Sequence, residues 1–281
     1  MAPGPRPEEA TSHVNERGSN EYLLDNQQAE AGQRFDALSA LFNPSTFRHA
    51  GAVGLAEGWR VWEVGAGGPS VPAYFSTQVG ASGYVLATDI DTSWLEGHDA
   101  TYQVRRHDVG SEPPPETSSF DLVHARLVLV HVRAREEGLA AMVASLKPGG
   151  SLLLEEADPG LQPLACPDES GPQQQLANKL KRGFRTLLAE RGVDLAFGRT
   201  LPRLLRQAGL VEVSSDAYFP MGGPVCAELE RATVEQVRDA LIAAGVATEA
   251  EVGQHLVNVA AGMVDLATSP MVSAWGRKPI R

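Results

Sequence analysis

The sequence predicts an α/β fold. The expected architecture is a mostly parallel sheet of seven strands with helices on both faces, plus a helical cap and helical insertions. Two observations carry this. From Gly58 onward, short apolar runs of strand length alternate with stretches of helical periodicity, the pattern of βα units. The early runs are also nearly continuous in apolar residues, as strands covered on both faces are. At 281 residues the chain is long enough to bury a large core.

The elements follow in order. The opening "MAPGPRPEEATSHVNERGSN" mixes Pro, Gly and both charge signs without an apolar stretch. It reads as a disordered tail over 1–20 and not as a signal peptide. A helical cap is expected over 21–57. Ala31, Phe35, Leu38 and Leu41/Phe42 have helical spacing, Asp25 with Gln28 resembles a capping box, and Pro44 should end this first helix. "STFRHAGAVGL" then reads as a second, short helix.

Strand "RVWEV" leads into helix "PSVPAYFSTQV", whose prolines fall in the first turn, where a missing N–H costs little. "YVLATD" is the second strand, "TSWLE" a short helix and "YQVRRHD" the third strand. "DLVHARLVL" is the fourth strand. Helix "REEGLAAMVASL" stops at "KPGG", and "SLLLEE" is the fifth strand. Beyond it, "QQLANKLKRGFRTLLAERG" is amphipathic, "LPRLLRQAGL" precedes a strand near "VEVSSDAY", and two more helices follow. A capping box at Thr248 and Glu251 opens the second of these, and "MVSAWGRKP" is the last strand. The core domain is thus expected over 58–281, with helical insertions near 157–198 and 222–268 as substrate walls.

Charge and composition narrow the function. A net charge of −11 leaves no broad basic surface for phosphates, which argues against nucleic acid as a partner. No apolar run approaches membrane-spanning length. Two distant cysteines, Cys166 and Cys226, give neither a disulfide nor a zinc framework, so no metal is expected and a cytoplasmic location is.

The chemistry starts at "WEVGAGGPS". A glycine-rich turn after a strand and before a helix is where a parallel sheet binds ligands, although strand-to-helix turns use glycine for structural reasons as well. A dinucleotide loop would carry a glycine where Ser70 stands, after Pro69. Glu63 occupies a position that should be apolar; a buried carboxylate must meet a cation or donors.

In "VWEVGAGGPS" the chain resembles the E-x-G-x-G first motif of class I S-adenosyl-L-methionine-dependent methyltransferases, whose sheet is Rossmann-like. The resemblance continues through "ATDID", "RHDV", "FDLVHARLVLVHV" and "LKPGGSLLLEE", over roughly residues 58–156. It implies that Gly65, Ala66 and Gly67 line the methionine part of the cofactor, with Glu63 near its amino or sulfonium end. Asp89 would accept the ribose hydroxyls, or else cap the next helix and leave that role to Asp91. Ile90 would pack on the adenine. Asp108 and the Val109 N–H would read the adenine amino group, unless Asp108 only starts a turn, and the backbone around Ala125 and Arg126 would hold the amino group, unless Arg126 is an ion-pair partner instead.

His124 reads as a core histidine, and the basic pairs at 105–106 and 181–182 as solvated faces. Candidate bases at the carboxyl end of the sheet are His131, Glu156 and Asp158. Tyr22, Gln28 and Arg34 of the cap could face the methyl group and its acceptor, or the ligand carboxylate. For each of these a surface or capping role is the competing reading. The D/N-P-P-Y/F and Pro-Cys motifs of base-modifying relatives are missing after strand four, so a small-molecule acceptor, such as one of secondary metabolism, is expected. The alternatives are a methyltransferase fold used for a non-methylating reaction or for binding, and a nicotinamide-dependent oxidoreductase.

Overall fold

A computed structural model of the chain describes residues 29–95 and 101–280. The expected tail, the Asp25 cap, Tyr22 and Gln28 lie outside the described residues. Five parallel strands build most of the sheet: β1 (Arg60–Val64), β2 (Tyr84–Asp89), β3 (Gln103–Arg106), β4 (Phe120–Arg126) and β5 (Leu146–Ala157). With β6 (Val211–Tyr218) and β7 (Met271–Arg277), the spatial order is β3-β2-β1-β4-β5-β7-β6. β7 runs antiparallel to both β5 and β6. The order reverses between β1 and β4, and there the carboxyl ends of the strands leave a crevice.

Helices are α1 (Ala29–Ala52), α2 (Ser70–Val79), α3 (Arg135–Ser145), α4 (Pro172–Glu190), α5 (Leu201–Gln207), α6 (Gly223–Ala243) and α7 (Glu249–Ala260). Strand periodicity divides the core. Trp62 and Val64, Val123 and Ala125, and Leu152 and Leu154 pack with Leu139 and Met142 of α3 and Leu201 and Leu205 of α5. Val61, Leu122 and Leu153, one residue out of phase, pack with Ala50 of α1 and Val71, Phe75 and Val79 of α2. Glu63, His124 and Glu155 share the phase of this second set, so all three charges are carried to the α1/α2 face.

Four local expectations are corrected. First, α1 runs unbroken through Pro44. An interior proline costs about 3 kcal/mol, but the turn after it holds Thr46, His49 and Ala50, all buried against the sheet, and this anchoring keeps the helix going. Second, β4 ends at Arg126 and not at Leu129, because Leu127 turns left-handed (φ 59); Leu129–His131 then forms a 3-10 turn. Third, β5 begins at Leu146, and its register with β4 shifts between Phe120/Leu146 and Leu122/Ser151, so "KPGG" is absorbed as a bulge. Fourth, residues 93–95 form a turn where a helix was expected.

In the second half, α4, α6 and α7 form a helical layer over the sheet's carboxyl edge. α6 lies along α1, tied by Arg34 Nε donating to Gln236 at 3.1 Å and Arg231 donating to Gln33 at 2.8 Å. The capping box of α7 forms as the sequence indicates. In α4, Gly183 lets the α6–α7 connection approach: a Cβ there would stand 2.1 Å from Val246 Cγ1. Gly183→Ala should therefore destabilise the protein by about 1–3 kcal/mol. A thermal-unfolding midpoint equal to that of the wild type would show that this contact does not hold the layer.

Candidate active site

One cavity of about 900 Å³ opens at the carboxyl ends of β1, β2 and β4, beneath the helical layer. Its volume is near the upper end of the ~300–1,000 Å³ usual for small-molecule sites. The sheet-side wall carries Gly65, Ala66, Gly67, Asp89, Ile90, Asp108, Val109, Arg126, Leu127 and Val128. The helical wall comes from α1, α4 and α6, including Arg34, Phe35, Phe184 and Val237.

The glycine turn is built for close approach. Gly65 and Gly67 have φ of 61° and 62°, and a Cβ on Gly65 would lie 2.4 Å from Val128. Asp89 closes the turn from β2, accepting the Gly67 N–H at 2.9 Å and the Asp91 N–H at 3.0 Å. Burial raises its pKa, against these donors. Asp108 accepts from Ser111 Oγ at 2.7 Å and the Gly110 N–H at 2.9 Å, which lowers its pKa. Both carboxylates keep acceptor capacity beyond these donors. Next to Asp89, Ile90 is 63% exposed in the cavity wall, an apolar face suited to covering by a flat ligand.

With the site in view, comparisons are informative. Residues 62–154 match a family described as a methyltransferase domain. The ubiquinone/menaquinone biosynthesis C-methyltransferase UbiE of Vibrio parahaemolyticus is 32% identical over 123 residues, spanning 40% of this chain and 47% of that protein. The chain carries a class I S-adenosylmethionine-dependent methyltransferase domain. Solved structures share its fold. Phosphoethanolamine N-methyltransferase 2 of Haemonchus contortus superposes with TM-score 0.57 at 15% identity, over 93% of this chain and 60% of that one. The YcgJ protein of Bacillus subtilis does so with TM-score 0.53 at 12% identity, over 84% and 99%.

Within the methyltransferase domain, several expected residues stand elsewhere. Glu63 is 2% exposed and outside the cavity wall. The cation it meets belongs to the chain itself, His124, whose Nδ1 lies 2.5 Å from Glu63 Oε2. Ala125 is 1% exposed and faces the α3/α5 core; Leu127 and Val128 take its place in the wall. Glu156 is likewise buried behind the wall. Its Oε1 accepts the Val128 and Val130 N–H groups at 3.1 and 3.3 Å, and its Oε2 has no partner among the described residues. Asp158 is fully buried and is bound through both oxygens to Arg199, at 2.5 and 2.8 Å. Both acids support loops and do not line the cavity. Arg34 and His131 do line the cavity. Sequence reading gives no site role to Leu127, Val128, Phe35 or Lys181; Phe35 is legible only as part of the apolar stripe of the cap, and Lys181 reads as part of a solvated face.

Electrostatics separate the acid and base candidates. Burial, reinforced by the charges of Arg34 and Arg135, drives the His131 pKa down to about 4, so the ring is neutral at pH 7. Burial pushes Glu156 up to about 8, against the three N–H groups it faces. Behind the wall, burial alone would depress His124, but Glu63 and Glu155 together raise it to about 9. Burial raises Glu63, with His124 opposing. Burial would also raise Glu155, yet His124 and His49 hold it far below the usual carboxylate range.

These shifts set a pH dependence. Unfolded His124 would release its proton near 6.5 and the folded residue near 9, so its stabilising contribution is full below 6.5 and lost as pH rises through 9. Glu156, moved from 4.5 to about 8, acts in the same direction at lower pH. The calorimetric midpoint should fall as pH rises from 6.5 to 9. Glu156→Gln should flatten the part of that fall below about pH 8. A midpoint that rises across the window would contradict a protonated His124. Glu155→Gln removes the shared counter-charge and should cost about 3–5 kcal/mol in chemical denaturation.

Proposed function

We propose that this chain binds S-adenosyl-L-methionine at the sheet-side wall and catalyses methyl transfer to a small-molecule acceptor held under the helical layer. The observation that carries this reading is the convergence of the Gly65–Gly67 turn, Asp89, exposed Ile90 and Asp108 on one wall of one cavity. The fit rests on the chain's own features: a backbone cradle a Cβ would fill, an uncovered apolar face, and two carboxylates with acceptor capacity left over.

In this reading Gly65, Ala66 and Gly67 face the methionine part. Asp89 accepts the ribose hydroxyls, Ile90 packs on the adenine, and Asp108 with Val109 reads its edge. Arg126, Leu127 and Val128 flank the amino-acid end. Bound there, the cofactor supplies an electrophilic methyl group on a sulfonium. The remaining work is alignment and exclusion of water, for which effective molarity contributes on the order of 7–11 kcal/mol, and the apolar walls suit it. The helical insertions over 157–198 and 222–268 and the cap serve as the acceptor's walls. His131, with a pKa of about 4, is available unprotonated at pH 7, but so low a value makes a weak base. It acts as a hydrogen-bond acceptor that orients the methyl recipient.

Isothermal titration with S-adenosylhomocysteine tests the assignment. Wild type should bind it, and Asp89→Ala should weaken binding by roughly tenfold or more, as loss of a charge-assisted hydrogen bond implies. Asp91→Ala should have a much smaller effect. Equal losses would move the ribose role away from Asp89, and tight NADH binding in place of S-adenosylhomocysteine would sink the reading as a whole.

A further inference from the structure

Lys181 lines the helical wall and has no part in the reading above. α4 presents Leu180, Phe184 and Leu188 to the cavity, and α6 presents Val234, Val237 and Leu241. In this apolar surface Lys181 is half-buried and lines the same space. Among the described residues its ammonium has no hydrogen-bond or ion-pair partner; its contact is the Phe184 ring, 5.8 Å from Nζ. Glu230, the acid nearest in effect, also lines the cavity, but its Oε1 is engaged by His255 Nε2 at 2.9 Å. Burial lowers the Lys181 pKa, Glu230 opposes the shift, and Arg185 adds to it.

An ammonium facing an apolar cavity without an acceptor is incompletely solvated, and an oxygen anion is the group that completes it best. We infer that the helical lobe takes an apolar acceptor molecule bearing one acidic oxygen function, a carboxylate or an ionisable phenol, which Lys181 receives. The apolar walls hold the skeleton, and the single charged contact fixes which end points to the sheet. Lys181 is thus a specificity-determining residue. The inference rests on the helical lobe being the acceptor side of the methyl-transfer site.

The test uses the full chain and two probes, 2-naphthoate and 2-naphthol, with methyl 2-naphthoate as the neutral control. Each is titrated into wild type, Lys181→Met and Lys181→Arg, with S-adenosylhomocysteine titrated in parallel. At least one acidic probe should bind wild type and weaken by about tenfold or more in Lys181→Met, which keeps the apolar stem but loses the charge. Lys181→Arg should restore most of that loss, and the neutral ester should be indifferent to all three. Which acidic probe responds distinguishes carboxylate from phenol. Failure of both to bind wild type, or equal binding in Lys181→Met, would overturn the anchor. If S-adenosylhomocysteine fails to bind wild type while the Lys181 effect persists, the methyl-transfer reading falls and the anion site stands. Should Lys181→Met not melt cooperatively, the wild-type and Lys181→Arg arms decide: neither acidic probe preferred over the ester by wild type would count against the anchor.

Discussion

Glu155 is the joint of this molecule. Its two oxygens meet four side chains from three elements. Thr46 and His49 descend from α1, His124 stands beside it on β4, and Ser273 lies opposite on β7 at 2.6 Å. The row continues across the sheet to Glu63 on β1 through His124, and to Asp216 on β6 through His49. Strand alternation makes this row possible, because Glu63, His124 and Glu155 share one face. Such a network is a poor source of net stability compared with packed hydrocarbon. Its effect is to be satisfied in one arrangement only, and that arrangement fixes where α1 lies.

The position of α1 decides the shape of the site. Pro44 gives the chain a reason to stop, yet Thr46 and His49 are bound so firmly to Glu155 that the helix runs on through the proline. The N-terminal half of the same helix then carries Arg34, Phe35, Leu38 and Phe42 over the cavity, where α6 packs along it. Arg126 joins the two regions directly. Its guanidinium donates to Asn43 and Thr46, both at 3.0 Å, while the residue itself lines the cavity. The buried row and the open wall are therefore one construction.

What could be read in the sequence was local or periodic. The glycine turn, the acids at the ends of β2 and β3, and the strand order along the chain all depend on neighbours a few residues away. Glu63 was legible as a carboxylate that needs a cation, but not which one. Its partner is 61 positions off and becomes a neighbour only through β1–β4 pairing. Lys181 was misjudged for the opposite reason. A basic pair beside an apolar stripe has the pattern of a solvated face, and the sequence cannot show that α6 covers that side of α4. Leu127 carried no signal either. A leucine at φ 59 is held there by its surroundings, including its N–H bond to the Glu155 carbonyl at 2.8 Å.

The titratable groups at the cavity make a consistent pattern. Glu156 bears the proton that burial forces on it and spends its acceptor atom on the Val128–Val130 turn. It is a poor base because it is already protonated at neutral pH and does not face the cavity. That turn presents His131, whose surroundings forbid the charged ring. His131 is held well below pH 7, where a general base works best, and Glu156 stands behind the cavity wall. A site so arranged favours an acceptor that arrives nucleophilic, or becomes so by ionising an oxygen of its own. The Lys181 ammonium, set among the apolar side chains of α4 and α6, stabilises such an oxygen without a proton having to be taken by the enzyme. The depressed His131 and the Lys181 ammonium, unpaired among the described residues, are thus two sides of one chemical requirement.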